Sequence, residues 1–568
     1  MKRDLSALTE KEYDLVIIGG GIFGICAAWD ASLRGLSVAL VEKGDFAHST
    51  SANCFKIVHG GMRYLQHADL PRIRESSHER NVLLRNAPHL VHPLPIVVPT
   101  YGHGMRGKEI LRAGLLAYDL ITFDRNRGIT DPQKHIPPGQ IISRPECLRL
   151  FPGLEKKGLT GAAIFYDGQM YSPVRLALST LKSAVNVGAN AVNYLEVTGF
   201  LQNGDRVHGI RARDKLTGSE LELQGRVVLN AAGPWAEHLL KFQTGLRLNS
   251  ELTYSRDAYF VVSRRLNEHY ALAAQGRTKD PDAILSRGRR HLFIVPWGNY
   301  TLVGVWHVVH RGEPDEFTVT EEDLQGFLDE INEAYPPLAL SLKDVSMWNA
   351  GLTLFGNNKA GAEDLSYGKR SQIIDHAKDH RVQGLVTLIG VRYTTSRSVA
   401  EKAVDLVFRK LGKEPPASTT SDTPIDGGRI ERFDVFLRHA IKQRPSALSA
   451  EVMHPLLHNY GSEYKDVMKY IDEDYTWGQT VGASKVTKAE VVHAVREEMA
   501  QKLGDVVFRR TDLGTGGHPG EAALNTCSDL MAAELGWDKS RIRKELDAVQ
   551  ATFPRFGTEN AQRLTINA

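Results

Sequence analysis

Cysteine is scarce in this chain. Only four occur in 568 residues, Cys26, Cys54, Cys147 and Cys527, far apart and without a C-x-x-C or mixed Cys/His cluster. That spacing excludes a disulfide framework and a zinc site, and no metal is expected. Net charge is equally thin. Lys plus Arg is 70 against 67 for Asp plus Glu, giving +3, too small an excess for nucleic acid to be a partner. Long apolar runs are missing too: no stretch of about 18 uncharged apolar residues occurs. The opening MKRDLSALTEKEYD lacks the apolar core of a signal peptide. The expectation is a cytoplasmic chain that does not span a membrane.

What is present is an ordinary globular balance, 42% hydrophobic and 24% charged, in a chain long enough for two or three domains. Tyr13 to Ile18 (YDLVII) is a β-branched apolar run ending at glycines. Ile22 to Arg34 suits a helix, and Ser37 to Val41 reads as a second strand finishing at Glu42, so a βαβ unit opens the chain. Gly19-Gly20-Gly21-Ile22-Phe23-Gly24 fits G-x-G-x-x-G inside that unit. Gly19 permits the tight turn, Gly21 lets the backbone approach a pyrophosphate, and Gly24 lets helix and strand pack closely. The helix N-terminus offers free N–H groups to phosphates, and Glu42 stands where a carboxylate accepts from a ribose hydroxyl, which disfavours NADP. The turn does not decide between FAD and NAD. A second small-residue turn, at Ala232 and Gly233 in RVVLNAAGPW, offers backbone to a flat ring or a phosphate.

Further along, residues 69–123 read as helical with breaks at Pro88, Pro93, Pro95 and Pro99. Residues 158–260 alternate strand-like runs with a helix over Pro173 to Val187. Leu292 to Val309 reads as a hairpin turning at Gly298-Asn299, and Thr320 to Ala334 is helical again. Gly412 to Arg429, rich in Pro, Ser, Thr and Gly, is expected to be an interdomain linker, followed by helices such as Lys488 to Leu503 with Thr487 as N-cap. Met105 to Arg127 mixes basic ends with an apolar middle, which fits either a core helix with snorkelling arginines or a membrane-surface helix.

The stretches YDLVIIGGGIFGICAAWDASLRGLSVALVEKGDFAHSTSANCFKIVHGGMRYLQ, NAAGPW, IVPWGNYTLVG and YTTSRSVAEKA, with AEVVHAVREEMAQKLGDVVFRRTDLG in the tail, resemble the FAD-dependent, respiratory, quinone-linked glycerol-3-phosphate dehydrogenases over nearly the whole chain. The resemblance implies an α/β fold: a Rossmann-like FAD-binding domain, a β-rich substrate cap of the amino-acid-oxidase type, and an all-helical C-terminal domain. The domains it implies are 1–75, 155–245 and 346–411 for FAD, 76–154 and 246–345 for the cap, 412–430 as linker, and 431–568 at the end. It assigns cofactor contacts to Lys43, Thr50, Ser51, Lys56, His59, Gly60, Gly61, Thr394 and Thr395 besides the turn residues. Substrate contacts fall on Arg63, Tyr64 and Arg392, the last where the family carries a lysine. The implied partners are a small anionic secondary alcohol and a quinone or other electron acceptor. The resemblance also admits a membrane surface, placing the chain peripherally on the cytoplasmic face of the inner membrane, and a second copy in a homodimer.

Three departures fall near the chemistry. The family's glycine-valine-arginine-proline segment, whose arginine grips phosphate, corresponds to Ala350-Gly351-Leu352-Thr353. Its active-site histidine aligns with Tyr259, and its Gly-Thr-Thr-Asp signature is Gly304-Val305-Trp306-His307. A charged hydrogen bond lost from the clamp is worth about 1.5–3 kcal/mol, roughly one to two powers of ten in affinity. Arg256, Arg287, Arg289, Arg290 and Arg370 are candidates to restore it. His307 or Tyr259 is the expected proton acceptor, histidine being the better matched near neutral pH. Trp306 walls a substrate or fills a core. The substrate is glycerol 3-phosphate or a related polyol phosphate or hydroxy acid. An amine or amino-acid oxidase of the same fold, and a non-catalytic flavoprotein, are the other readings that the residues leave open.

Overall fold

The computed structural model describes residues 1–104, 107–244, 253–276, 291–310, 312–355, 371–554 and 556. Arg287, Arg289, Arg290 and Arg370 lie outside them. The apolar run Tyr13–Ile18 is the centre of a parallel sheet, paired on one side with Glu220–Asn230 and on the other with Val38–Val41. Leu385–Ile389 and Asn190–Val192 extend it at either side. The helix Ile22–Leu33 is buried almost all round, as a helix packed between layers must be. It lies against Pro173–Asn186 and Ser396–Lys410.

A second sheet runs, among the described residues, in the order Val345–Phe355, Thr253–Val262, Tyr300–His310, His291–Trp297, Ala271–Gln275, Val91–Tyr101, Leu159–Met170, Ile57–Val58. Ile57–Val58, Leu159–Met170 and Val345–Phe355 thus pair in this sheet, although the implied boundaries put them with the dinucleotide domain. The hairpin turns at Gly298-Asn299, with Trp297 opposite Tyr300. The expected helix is Glu321–Ala334, started by a capping box between Thr320 and Asp323. It covers one face of the sheet: Phe327 meets Phe260 edge-on at 5.4 Å and stacks on Trp306 at 4.8 Å. Trp306 therefore belongs to the core. Because strand side chains alternate, Asp257 and Tyr259 point to the other face.

Residues 91–101 correct the helical reading. They form the strand Val91–Tyr101 despite Pro93, Pro95 and Pro99. The three prolines share one parity, so their missing N–H groups fall on one side of the strand. Pairing with Leu159–Met170 runs from Val91 to Thr100 without a register shift. The Pro-rich 412–429 stretch contains no helix or strand but is no loose tether. Thr420 and Ile425 are buried, Asn86 donates to the Ser421 carbonyl at 2.7 Å, and Asp426 N–H donates to Ser183 at 2.7 Å.

Beyond it the regular structure among the described residues is helical. Lys488–Glu498 opens on a capping box of Thr487 and Glu490 and stops at Met499 in the left-handed region, short of the expected Leu503. Buried ion pairs hold this region to the first sheet. Arg175 donates from Nη1 to both carboxylate oxygens of Glu498 at 2.9 and 2.8 Å, and Asp45 receives Arg509 and Arg510 at 2.6 Å each. Burial alone would raise Glu498, but the Arg175 charge and its hydrogen bonds bring it down to about 2. Its stabilising contribution is therefore full above its ordinary 4.5 and is lost as pH falls towards 2. Glu498→Gln leaves Arg175 buried without a counter-charge. It should cost about 3–5 kcal/mol at neutral pH and flatten the acid limb of a melting-temperature series.

Candidate active site

Between the two sheets lies a cavity of about 630 Å³, within the range of cofactor and substrate pockets. One end is the Gly-rich turn. A Cβ on Gly24 would sit 2.0 Å from the Gly19 carbonyl oxygen, and one on Gly19 would sit 2.5 Å from that of Ala231, so helix, strand and the Ala231-Ala232 turn meet only without side chains there. Gly21, Ala232 and Gly233 line the cavity. Glu42 accepts from Gly20 N–H at 2.7 Å and from Gly44 N–H at 2.8 Å, one bond per oxygen, and each oxygen keeps a second lone pair for a ligand hydroxyl. Ser51 Oγ accepts from Ile22 N–H at 3.0 Å and Thr50 donates to the Leu352 carbonyl at 2.8 Å. Lys43 Nζ stands 3.9 Å over the Trp235 ring. A glycine cradle, a fixed carboxylate and a long cavity fit a dinucleotide.

The middle is the HGGMRY stretch. His59 lines the cavity, donates its N–H to Thr394 at 3.1 Å and places Nδ1 3.0 Å from Asp167. Asp167 also accepts from Gly60 N–H at 2.7 Å and from Arg80 at 3.2 Å. Burial would raise its pKa, but the hydrogen bonds and the His59 and Arg80 charges hold it below the ordinary carboxylate value. Tyr118 donates to the Gly60 carbonyl at 2.8 Å. Here the glycine reading changes: a Cβ on Gly60 would sit 2.0 Å from Arg80 Nη1 and 2.5 Å from Tyr118 Oη. Gly60 makes room for buried protein groups, and neither it nor Gly61 lines the cavity.

Tyr64 lines the cavity, and its ring meets the guanidiniums of Arg392 at 4.9 Å and Arg72 at 5.5 Å. Arg392 lines it as well, whereas the exposed Arg63 does not. Thr394 is a lining residue; Thr395, buried, precedes the helix Ser396–Lys410 instead. Lys56 also lies elsewhere. It is buried under the Trp297 ring at 4.6 Å, and burial pushes its ammonium down to about 8.

The opposite wall comes from three neighbouring strands. Asp257 is paired across the ladder with His307, whose Nδ1 lies 2.5 Å from Asp257 Oδ1, and both line the cavity. The sequence reading missed Asp257; its signal was alternation, since Asp257 and Tyr259 share a face. Tyr259 lines the cavity too, but burial, with Cys54 beside it, holds its phenol well above the ordinary 10. Tyr259 is a proton donor at neutral pH, not an acceptor. Arg256 turns the other way, to Asp323 at 2.9 Å and the Thr318 carbonyl. Leu352 pairs with Arg256, and Gly351, Leu352 and Thr353, which all line the cavity, bring no cation to it. Arg256 does not restore an anion clamp.

Turn, cavity and strand wall define a dinucleotide-dependent enzyme of the two-sheet type. A family model described as FAD dependent oxidoreductase matches residues 14–389, and one described as the C-terminal domain of alpha-glycerophosphate oxidase matches residues 418–542. The chain belongs to the FAD-dependent oxidoreductase family. It is 30% identical over 560 residues to a glycerol-3-phosphate dehydrogenase of Synechocystis sp., covering 96% of this chain and 97% of that one. It is 30% identical over 520 residues to an aerobic glycerol-3-phosphate dehydrogenase of Staphylococcus haemolyticus, covering 89% and 87%. Among solved structures it is similar to the glycerol-3-phosphate dehydrogenase from Bacillus halodurans complexed with FAD, with a TM-score of 0.74 at 24% identity over 96% of this chain and 95% of that one.

The packing at Gly60 can be tested directly. Gly60→Ala should destabilise the protein by about 1–3 kcal/mol, the usual effect of overpacking, in a denaturant titration. It should also loosen the Asp167 network before it affects the flavin-to-protein ratio, because Gly60 lies outside the cavity.

Proposed function

We propose that the protein oxidises glycerol 3-phosphate at its secondary alcohol and passes the electrons to a membrane quinone. The observation that carries the chemistry is the Asp257–His307 pair on the cavity wall; the full-length relatives support the substrate. Bound FAD supplies the hydride acceptor. Asp257 accepts from His307 Nδ1–H, which leaves Nε2 as the atom that takes the hydroxyl proton while the carbon–oxygen bond becomes a carbonyl. Arg392, held against Tyr64, offers its guanidinium to the substrate anion, and Tyr64 orients the alcohol. Lys43, Thr50, Ser51, Glu42, His59 and Thr394 hold the cofactor.

Anaerobic glycerol 3-phosphate should bleach the flavin; a flavin that stays yellow with it and bleaches with an amino acid or another alcohol would move the protein to that class. His307→Asn should slow flavin reduction by about 10²–10⁴-fold, the usual weight of a general base, and flatten its dependence on pH. An unchanged rate and profile would remove His307 from the chemistry.

The route to quinone rests on the helix Lys108–Ile121. Its inner face buries Leu115 and Tyr118, while Leu116, Leu120 and Phe123 are 58%, 76% and 79% exposed. Lys108 and Arg112 on the same helix are exposed too, and Arg74 lies 5.6 Å from the Phe123 ring. No helix among the described residues is long and apolar enough to cross a membrane. An exposed apolar ridge with basic neighbours suits the plane of an anionic lipid surface, where the protein sits peripherally on the cytoplasmic face of the inner membrane. Replacing Leu116, Leu120 and Phe123 with Ser should abolish co-sedimentation with phosphatidylglycerol vesicles while leaving flavin content intact.

A further inference from the structure

Tyr259 carries a polar atom that nothing in the chain satisfies. The residue is 1% exposed, and its hydroxyl has no hydrogen-bond partner. Buried polar groups are ordinarily paired, because an unmade bond leaves desolvation uncompensated. The ring is fixed in place by Phe55, edge-on at 5.3 Å. It also depends on Gly304, where a Cβ would come 2.6 Å from its own. The residue lines the cavity, while the surrounding packing gives its hydroxyl no acceptor. With the phenol kept protonated, it has a proton to donate to a ligand.

Asp257 lies two residues away on the same strand, and side chains at that spacing stand about 7 Å apart on one face. Hydrogen bonds to His307 and to Tyr259 can therefore reach oxygens on adjacent carbons of one small molecule. We propose that Tyr259 is a specificity-determining residue whose hydroxyl donates to the substrate oxygen on the carbon next to the one oxidised. The inference rests on the glycerol 3-phosphate reading, in which that oxygen is the terminal hydroxyl. A site that hydrogen-bonds a hydroxyl rejects the analogue lacking it, since the site's own polar group is then left unpaired.

The test compares FAD-loaded wild type with Tyr259→Phe on two compounds, glycerol 3-phosphate and 2-hydroxypropyl phosphate, which lacks the terminal hydroxyl. Flavin bleaching is followed anaerobically. Wild type should need at least about tenfold less of the first compound, and Tyr259→Phe should need the two equally, at an unchanged limiting rate. Flavin content should not change, and the melting temperature of the ligand-free variant should stay level or rise, because an unpaired buried hydroxyl has gone. A preference that survives in Tyr259→Phe overturns the inference, as does an equal loss on both compounds, which marks a structural role. Loss of flavin overturns it in favour of a cofactor contact. Wild type bleached by neither compound overturns the glycerol 3-phosphate reading and this inference with it, an outcome distinct from the other three.

Discussion

The arrangement of the whole molecule turns on Asp45, three residues past the carboxylate that faces the cofactor end of the cavity. It is 1% exposed and accepts from Arg509 and Arg510 at 2.6 Å and from Asn193 at 3.0 Å. A carboxylate so far from water is tolerable only with its charge met and its lone pairs filled. Both arginines come from the helical domain. Arg509 also meets Asp505 at 2.7 Å, and Tyr194 donates to Asp505 at 2.6 Å. With Arg175 on Glu498, three buried cations face three buried carboxylates. The loop that carries Lys43, His48, Thr50 and Ser51 along the cavity wall is thereby anchored by residues more than 450 positions away. The helical domain is part of what shapes the site.

The parts of this architecture legible in the sequence are those written by local physics. YDLVII, the G-x-G-x-x-G turn and Glu42 lie within one βαβ unit, and their periodicity and turn chemistry need no distant partner. The hairpin at Gly298-Asn299 and the capping boxes at Thr320 and Thr487 are legible for the same reason. Val91–Tyr101 was not, because prolines are tolerated there only through a long ladder with Leu159–Met170, whose pairing lies dozens of residues on. The 412–429 stretch reads correctly as irregular, but composition carries no sign of the side chains from Asn86, Arg397 and Ser183 that pin it.

The site divides along the same line. Residues inside contiguous motifs, Glu42 to Ser51 and His59 to Tyr64, were visible as a group. The reason for a residue within the group was not always visible. Gly60 looked like backbone opened to a flavin, and packing shows it is space for Arg80 and Tyr118. Arg63 and Lys56 were chosen by the same motif, yet one is exposed and the other lies beneath Trp297. Asp257 escaped notice because its partner is 50 residues distant and only the cross-strand register makes them neighbours.

That register also sets the departures at 259 and 307 on one wall of the cavity. By resemblance, a histidine is expected at 259 and an aspartate at 307, two positions that are not opposite one another: Tyr259 lies across from Gly304, and His307 across from Asp257. This chain has an aspartate on the first strand and a histidine on the second, in register at Asp257 and His307. A hydrogen-bonded imidazole and carboxylate do the same work from either direction, since the carboxylate sets which ring nitrogen keeps its proton. At the expected histidine position this chain has Tyr259, a phenol that burial keeps protonated. Position 352 lines the same cavity with an apolar side chain where the resemblance leads one to expect an arginine. The altered wall is thus one patch of two adjacent strands, where Asp257 and His307 are paired across the ladder and Tyr259 stands on the same face beside them.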